Sequence, residues 1–574
     1  MVFSFRVGEM TLADGTLVSP PADGMTVFIG PNNSGKSKLL EDLVGYLANH
    51  PGPPATPRWV SGVEVEREGT PEDLIQYLHS VGHVPRKRPD GQTAYPLQGR
   101  DGMAGNEAGI AEHTLTSCWN GGTYGQIAPL LLSAQWTRDR LQDQITTQPH
   151  NPVYPPSHPT QYLRSSPPAL EKFSHLIETA FGAPISMNRF EPHRIRLTIG
   201  DPELPAGTDC ISHEYWDAYD NLPGVAEQGD GFRSFVNLLL HALVRPTPVI
   251  VIDEPEAFLH PPQARLLGRI LAERTPSACQ VFVATHSVDF LSGVLEAATK
   301  PVALVRLTRT PGGPRANQLD PEDVVAILRT PLLRYSNIIA GLFHDGVVLG
   351  ESEGDCQFYA ATFDVLKRND GPNDNLVFLH TNGKARLADT TARLRRCGIP
   401  VAVIADLDLL NNKQTLKAAL TGVGGDWERI AADFEILDRH MREEKSIVTA
   451  AAAKSRILKI LGDPKDGDLL TAHQVQEISG MLKATSGWAQ LKKAGLPLLS
   501  SSPAYQATRR VLDVLAEHGI FAVPVGELER WVPELAVRKD RWLTRVFEAG
   551  LHNSPSEDLS RFCERIKSYL STAV

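Results

Sequence analysis

Eight residues limit what this chain can fold into more than any other stretch: Gly30-Pro31-Asn32-Asn33-Ser34-Gly35-Lys36-Ser37. They fit the pattern G-x-x-x-x-G-K-[ST]. They follow an apolar run, Met25–Ile29, that reads as a buried strand, and they precede a stretch, Lys38–Leu47, that reads as a helix. Strand, glycine loop and helix together form a cradle in which backbone N–H groups wrap phosphate oxygens. Gly30 and Gly35 permit the turn, Asn33 and Ser34 lie on the loop, Lys36 offsets phosphate charge, and the Ser37 hydroxyl ligates Mg²⁺. An α/β core is the expectation.

A second segment completes this chemistry. Val249-Ile250-Val251-Ile252-Asp253-Glu254-Pro255-Glu256 reads as a buried strand that delivers Asp253 to the Mg²⁺ ion. Glu254 stands next to it, able to orient or deprotonate an attacking water. About thirty residues on, Val281-Phe282-Val283-Ala284-Thr285-His286-Ser287 ends another apolar strand on His286, placed to contact a γ-phosphate. Ser133-Ala134-Gln135 follows the apolar Ile127–Leu132, and Gln135 is a candidate nucleotide contact. The set resembles the ABC-type ATPases, in the branch that includes SMC-like and OLD-family proteins. That resemblance implies head-to-head dimers with ATP held between the glycine loop of one subunit and a signature loop of the other. The candidate signature is Gln228-Gly229-Asp230-Gly231-Phe232-Arg233-Ser234, centred on Gly231 and read as lying just before a helix, Phe235–Leu243. It departs from the usual Ser-Gly-Gly pattern, since no serine precedes its glycines.

Far downstream, Val401-Ala402-Val403-Ile404-Ala405-Asp406-Leu407-Asp408 is an apolar run ending on two acids. Residues two apart in a strand share a face, so both carboxylates could reach one spot. Like charges that close call for a cation, and a hard divalent ion is the natural guest. Gly346-Val347-Val348-Leu349-Gly350-Glu351 sets another acid at a strand tip, with Asp355 four residues on, in the first turn of the next helix. Asn382-Gly383-Lys384 comes between, followed by a helix carrying Arg386, Arg393, Arg395 and Arg396. Those arginines and Lys413 are read either as contacts to DNA phosphates or as a solvated face.

This succession of acids resembles a TOPRIM domain, the metal-binding fold of topoisomerases, primases and OLD-family nucleases. Carried over by position, the resemblance implies Glu351, Asp355, Asp406 and Asp408 as metal ligands. Phe521-Ala522-Val523-Pro524-Val525-Gly526-Glu527-Leu528-Glu529 resembles the closing strand and acidic turn, which makes Glu529 a second-metal candidate. Lys539 is a candidate for neutralising a scissile phosphate. Two ions roughly 3.5–4 Å apart would then activate water and stabilise the leaving oxygen. Two departures stand out: Ser352 replaces the glycine usual after the first acid, and Leu409-Leu410-Asn411 adds no further acid.

At 574 residues, 42% of them hydrophobic, the chain has room for two or three domains. The expected division is an ATPase domain over 1–335 with insertions at about 51–225, then a TOPRIM-like domain over 336–574 with a helical insertion at about 411–515. A net charge of −10 excludes a uniformly basic nucleic-acid coat but leaves room for a local basic groove. The six cysteines are scattered with no C-x-x-C pair, as in a reduced, cytoplasmic protein. Neither a signal-peptide pattern at the start nor an apolar run of about 18 residues is legible, so no membrane is expected.

ATPase plus TOPRIM in one chain resembles the OLD family, including nuclease subunits of Gabija-type antiphage systems. The resemblance implies an ATP- and Mg²⁺-dependent DNA endonuclease, with Mn²⁺ an option at the nuclease site. It further implies a homodimer or higher oligomer, DNA as substrate, and a helicase or other defence protein as partner. Two alternatives stay open. One is an ATPase sensor whose degenerate TOPRIM unit binds nucleic acid or a partner without cutting. The other is an SMC-like DNA-repair ATPase, although no heptad-rich arm separates Gly35 from Asp253.

Overall fold

The computed structural model describes residues 3–572 outside 84, 89–90, 97–108, 143–144, 151–155, 157, 206, 245, 311, 321, 323, 326–337, 368–374, 382, 384–385, 444–449, 463–468, 485–486 and 536. The chain forms two compact units, Met1–Val325 and Ala326–Val574. The expected domain boundary at 335/336 lies outside the described residues, as do Asn382 and Lys384. Among the described residues no helix is long and apolar enough to cross a membrane.

In the first unit a six-stranded sheet runs in the order Gly313–Leu319, Val302–Thr310, Gly24–Ile29, Gln280–Ala284, Val249–Asp253, Leu132–Gln135. All neighbours are parallel except the edge hairpin formed by the first two. Every residue of Gly24–Ile29, Gln280–Ala284 and Val249–Asp253 is buried, as expected of a parallel sheet covered on both faces. The helix Lys36–Asn49 buries Leu39, Leu40, Leu43 and Leu47, the i, i+4, i+8 stripe that faces a core. It ends before Pro51, which disfavours helical geometry at His50. A three-stranded antiparallel sheet (Leu17–Val18, Ser4–Leu12, Val60–Glu68) packs Phe5, Val7, Met10 and Leu12 into the same core.

Two sequence expectations change here. Leu132–Gln135 belongs to the main sheet, so the stretch 51–225 supplies an edge strand of the core as well as insertions. The helix expected over Phe235–Leu243 begins earlier, at Asp230, so Gly231 sits inside its first turn and Gly229 is the cap. A glycine tolerates the extended cap conformation that a helix start needs, and the acidic Asp230 favours the positive end of the helix dipole.

The second unit holds a four-stranded, wholly parallel sheet: Leu376–His380, Gly346–Gly350, Val401–Ala405, Ile520–Ala522. Helices Glu353–Lys367 and Glu557–Thr572 cover it through Phe358, Tyr359, Phe363, Phe562 and Ile566, packed against Val348, Ala402, Ile404 and Phe521. Between the last two strands in sequence comes a mostly helical insertion, from Lys413–Gly422 through Glu428–Glu443 and Gly487–Ala494 to Pro503–Glu517. The closing strand is shorter than Phe521–Val525. It stops at Ala522, because Pro524 cannot donate to a ladder and Gly526 turns at φ 107°.

Candidate functional site

Strand register assembles the nucleotide site. Asp253 lies beside Ala284, and Ala284 beside Phe28, so the glycine loop, Asp253-Glu254 and Thr285-His286 leave three adjacent strands at the same edge. Gly30, Asn33 and Gly35 take positive φ of 141°, 63° and 93°. Glycine is required at 35 for a further reason: a Cβ there would lie 1.9 Å from Trp59 Nε1. Lys36 is buried and donates to the carbonyls of Gly30 at 2.9 Å and Pro31 at 2.8 Å, with the buried Ser34 hydroxyl also near. Burial draws the Lys36 ammonium below its ordinary pKa, while Glu254, Glu256 and Asp253 pull it back. Ser37 Oγ donates to Asp253 Oδ1 at 2.8 Å, joining the two groups expected to share one ion. Burial raises the Asp253 carboxyl above its usual range, and the Ser37 hydrogen bond opposes that.

Glu254 adopts φ 45°, uncommon for a residue with a Cβ, and its N–H donates to Ala284 O at 2.8 Å. His286 Nδ1 lies 3.3 Å from Glu254 Oε1 and 3.2 Å from Glu256 Oε1. Its hydrogen bond to Glu254 holds that carboxyl low and raises the imidazole. Glu256 is fully buried and accepts from Thr285 Oγ1 at 2.8 Å and from the His286 N–H at 2.9 Å. Burial pushes its carboxyl up.

Three residues of this site carried no signal in the sequence: Glu256 as an orienter of His286, Thr137, and Arg140. The Arg140 guanidinium is wholly buried and donates to Glu254 O at 2.6 Å and to Thr137 Oγ1, which donates to Asp253 O at 3.0 Å. Burial pushes its pKa down to about 10 against the pull of Glu256, Asp253 and Glu254. Gln135 ends the strand beside Asp253's strand, buried, with Nε2 donating to Ser133 Oγ at 3.2 Å. Gly231 lies against the loop after Glu256, where a Cβ would approach Phe258 O to 2.5 Å.

The second unit gathers its acids in the same manner, at the carboxyl ends of parallel strands. Glu351 follows Gly350, Asp406 follows Ala405, and Glu527 and Glu529 lie beyond Ala522. The Asp406 N–H donates to Glu351 Oε1 at 3.1 Å. One oxygen each from Glu351, Asp406 and Asp408 lies within 4.8 Å of the others. The pair does not converge by sharing a strand face, because the strand stops at Ala405 and Asp408 sits on the 3₁₀ turn Leu407–Asn411. Three hard carboxylate oxygens this close suit Mg²⁺ or Mn²⁺. Asp355 lies outside that trio. Its carboxylate accepts from both the N–H and the hydroxyl of Ser352, each at 2.9 Å. Ser352 therefore caps the following helix through Asp355. Burial raises the Asp355 carboxyl, Ser352 lowers it, and the charge of Asp406 raises it further. Glu529 Oε1 lies 3.0 Å and Glu527 Oε2 3.6 Å from Lys539 Nζ.

Lys492 was invisible to sequence reading because it lies in the helical insertion, over eighty residues from the acids it meets. Its Nζ is 3.0 Å from Asp406 Oδ2 and 2.8 Å from Asp408 Oδ2. Of the arginines read as DNA contacts, Arg395 is corrected. It is turned inward, donating to the carbonyls of Val423, Val401 and His518 and to the Tyr569 hydroxyl. Arg393 pairs with Asp389 and Lys413 with Glu435, while Arg386 and Arg396 are exposed.

Residues 140–292 match the family model AAA_21, described as "AAA domain, putative AbiEii toxin, Type IV TA system". The chain is 25% identical over 170 residues to Old nuclease of Escherichia phage P2, covering 29% of this chain and 28% of that protein. It is 32% identical over 73 residues to the uncharacterized protein MJECL11 of Methanocaldococcus jannaschii, 12% of this chain and 64% of that one. Among solved structures it is similar to the SMC head domain from Thermotoga maritima, at 16% identity and TM-score 0.27 over 56% of this chain and 98% of that one. The matched stretch thus spans little more than a quarter of Old nuclease. Residues 140–292 are similar to an AAA domain, and a stretch of 170 residues is similar to Old nuclease.

Proposed function

We propose that this chain is an ATP-hydrolysing, Mg²⁺-dependent DNA endonuclease of the OLD type, acting in antiphage defence as a homodimer or higher oligomer. The observation that carries the reading is the meeting of Glu351, Asp406 and Asp408 at one sheet edge in a chain that also builds a complete phosphate loop. Similarity to a protein named a nuclease supports it.

In the ATPase unit, Lys36 and the loop N–H groups bind the phosphates, and Ser37 with Asp253 would hold Mg²⁺. Glu254, kept ionised and aimed by His286, accepts the proton of the attacking water. Arg140 and Thr137 brace the backbone of that acidic pair. In the second unit Glu351, Asp406 and Asp408 would hold one divalent ion, with Asp355 and Glu529 flanking it. Such ions supply an activated water and neutralise phosphate charge. Lys539, exposed beside Glu529, is the cation assigned to a scissile phosphate.

The test is nicking of supercoiled plasmid by purified protein with Mg²⁺ or Mn²⁺. Cutting by the wild-type chain and its loss in Asp406→Ala support the proposal. ATP hydrolysis without cleavage of any DNA or RNA would leave a nucleotide-driven sensor in its place.

A further inference from the structure

The short helix Gly487–Ala494 carries Lys492 to the two acids of the Val401 strand end. Its backbone is tied to the turn that follows the closing strand. A Cβ on Gly526 would lie 2.1 Å from Lys492 O, and the Leu496 N–H donates to Pro524 O at 2.9 Å. The same turn grips the acids, since Leu407 N–H donates to Gly526 O at 2.8 Å. Lysine and carboxylates are thus referenced to a single segment, Val523–Gly526, which makes their meeting a built feature of the fold. The charges match this arrangement. Lys539 serves Glu527 and Glu529, and Lys492 serves Asp406 and Asp408. A lysine stem has four rotatable bonds, so its ammonium can withdraw while its helix stays put.

We propose that Lys492 is a built-in competitor for the divalent ion: its ammonium stands between Asp406 and Asp408, and metal loading exchanges it for the ion. The inference rests on reading Glu351, Asp406 and Asp408 as metal ligands. Seated 3.0 Å and 2.8 Å from Oδ2 of Asp406 and Asp408, the ammonium occupies carboxylate lone pairs and repels a dication beside it, so each weakens the hold of the other. Metal affinity is then reduced by the fraction of molecules in which the lysine is seated. The insertion, through the position of one helix, sets the metal concentration at which the site fills.

The experiment is calorimetric titration of Mn²⁺ into the full chain without nucleotide, for wild type, Lys492→Met, Lys492→Arg and Asp406→Ala. Removing the lysine tightens the Asp406-dependent binding by about tenfold, while the arginine variant stays near wild type. Equal or weaker binding by Lys492→Met overturns the competition. Undiminished binding by Asp406→Ala instead overturns the metal-ligand reading, and the competition falls with it. Thermal denaturation provides a second readout. In chelator Lys492→Met melts below wild type, and Mn²⁺ raises its Tm by more than it raises the wild-type Tm. Lys492→Gln, which keeps a hydrogen-bonding tip, takes the place of the methionine variant if that one does not fold, and the same tightening is required of it.

Discussion

Glu254, Glu256 and His286 make one unit, because a single imidazole nitrogen lies within 3.3 Å of both carboxylates. Glu254→Gln keeps the shape and removes the base. ATP turnover should fall about 10²-fold or more while nucleotide binding persists, measured by phosphate release beside binding of a fluorescent analogue. Turnover within a few-fold of wild type would remove Glu254 from the role. The pH dependence follows from the directions of the two shifts. His286 is raised, so its contribution is complete below the ordinary histidine value and fades as pH rises through the raised one. Glu254 is lowered, so its contribution is complete above the ordinary carboxylate value and fades as pH falls through the lowered one. The Tm difference between wild type and His286→Gln should therefore be widest in mild acid and shrink toward alkaline pH. A difference that grows with pH would contradict the pairing.

At the level of elements, the acids of the second unit depend on how the insertion returns to the sheet. Arg395, on the helix Leu387–Arg396, joins the Val401 strand, the Val423 turn, the His518 turn and the Tyr569 helix through four hydrogen bonds. Leaving those acceptors unpaired costs about 1–3 kcal/mol each at full burial, so Arg395→Leu should destabilise the protein by at least about 2 kcal/mol. Denaturant melts measure that loss, and DNA affinity corrected for it should not change. Arg386→Ala and Arg396→Ala should do the reverse, since both side chains are exposed. The Gly526 turn is a sharper probe. With φ at 107° and Lys492 O only 2.1 Å from where a methyl group would sit, Gly526→Ala must shift the Gly487 helix. Its expected signature is tightened Asp406-dependent Mn²⁺ binding, as Lys492 is drawn off the acids, with the ATPase rate preserved.

Across the whole molecule, two separately packed units each gather acids at the carboxyl ends of parallel strands. Asp406→Ala should abolish plasmid cutting and leave basal ATP hydrolysis within about two-fold of wild type, because each proposed site is built from residues of one unit. Lys36→Ala should abolish hydrolysis and leave Mn²⁺ binding at the second unit intact. Loss of both activities in either variant, with the fold shown intact by its melt, would mean the two chemistries are inseparable.

The chain's own order of residues determined the elements and most of the site. Short apolar runs leading to Gly30, Asp253, Glu351 and Asp406 suit buried parallel strands, and such strands bring their carboxyl ends together. That is local information: period, length and the turn residue that follows. Tertiary structure decided what local information cannot carry. It enlisted Leu132–Gln135 in the main sheet, turned Arg395 inward, and set Glu256 beside His286 and Arg140 against the Glu254 backbone. Above all it brought Lys492 across more than eighty residues to the Asp406–Asp408 pair. A lysine on an amphipathic helix looks like any solvated charge until the chain has folded back, because its partner is chosen by packing at Val523–Gly526 and not by its neighbours in sequence.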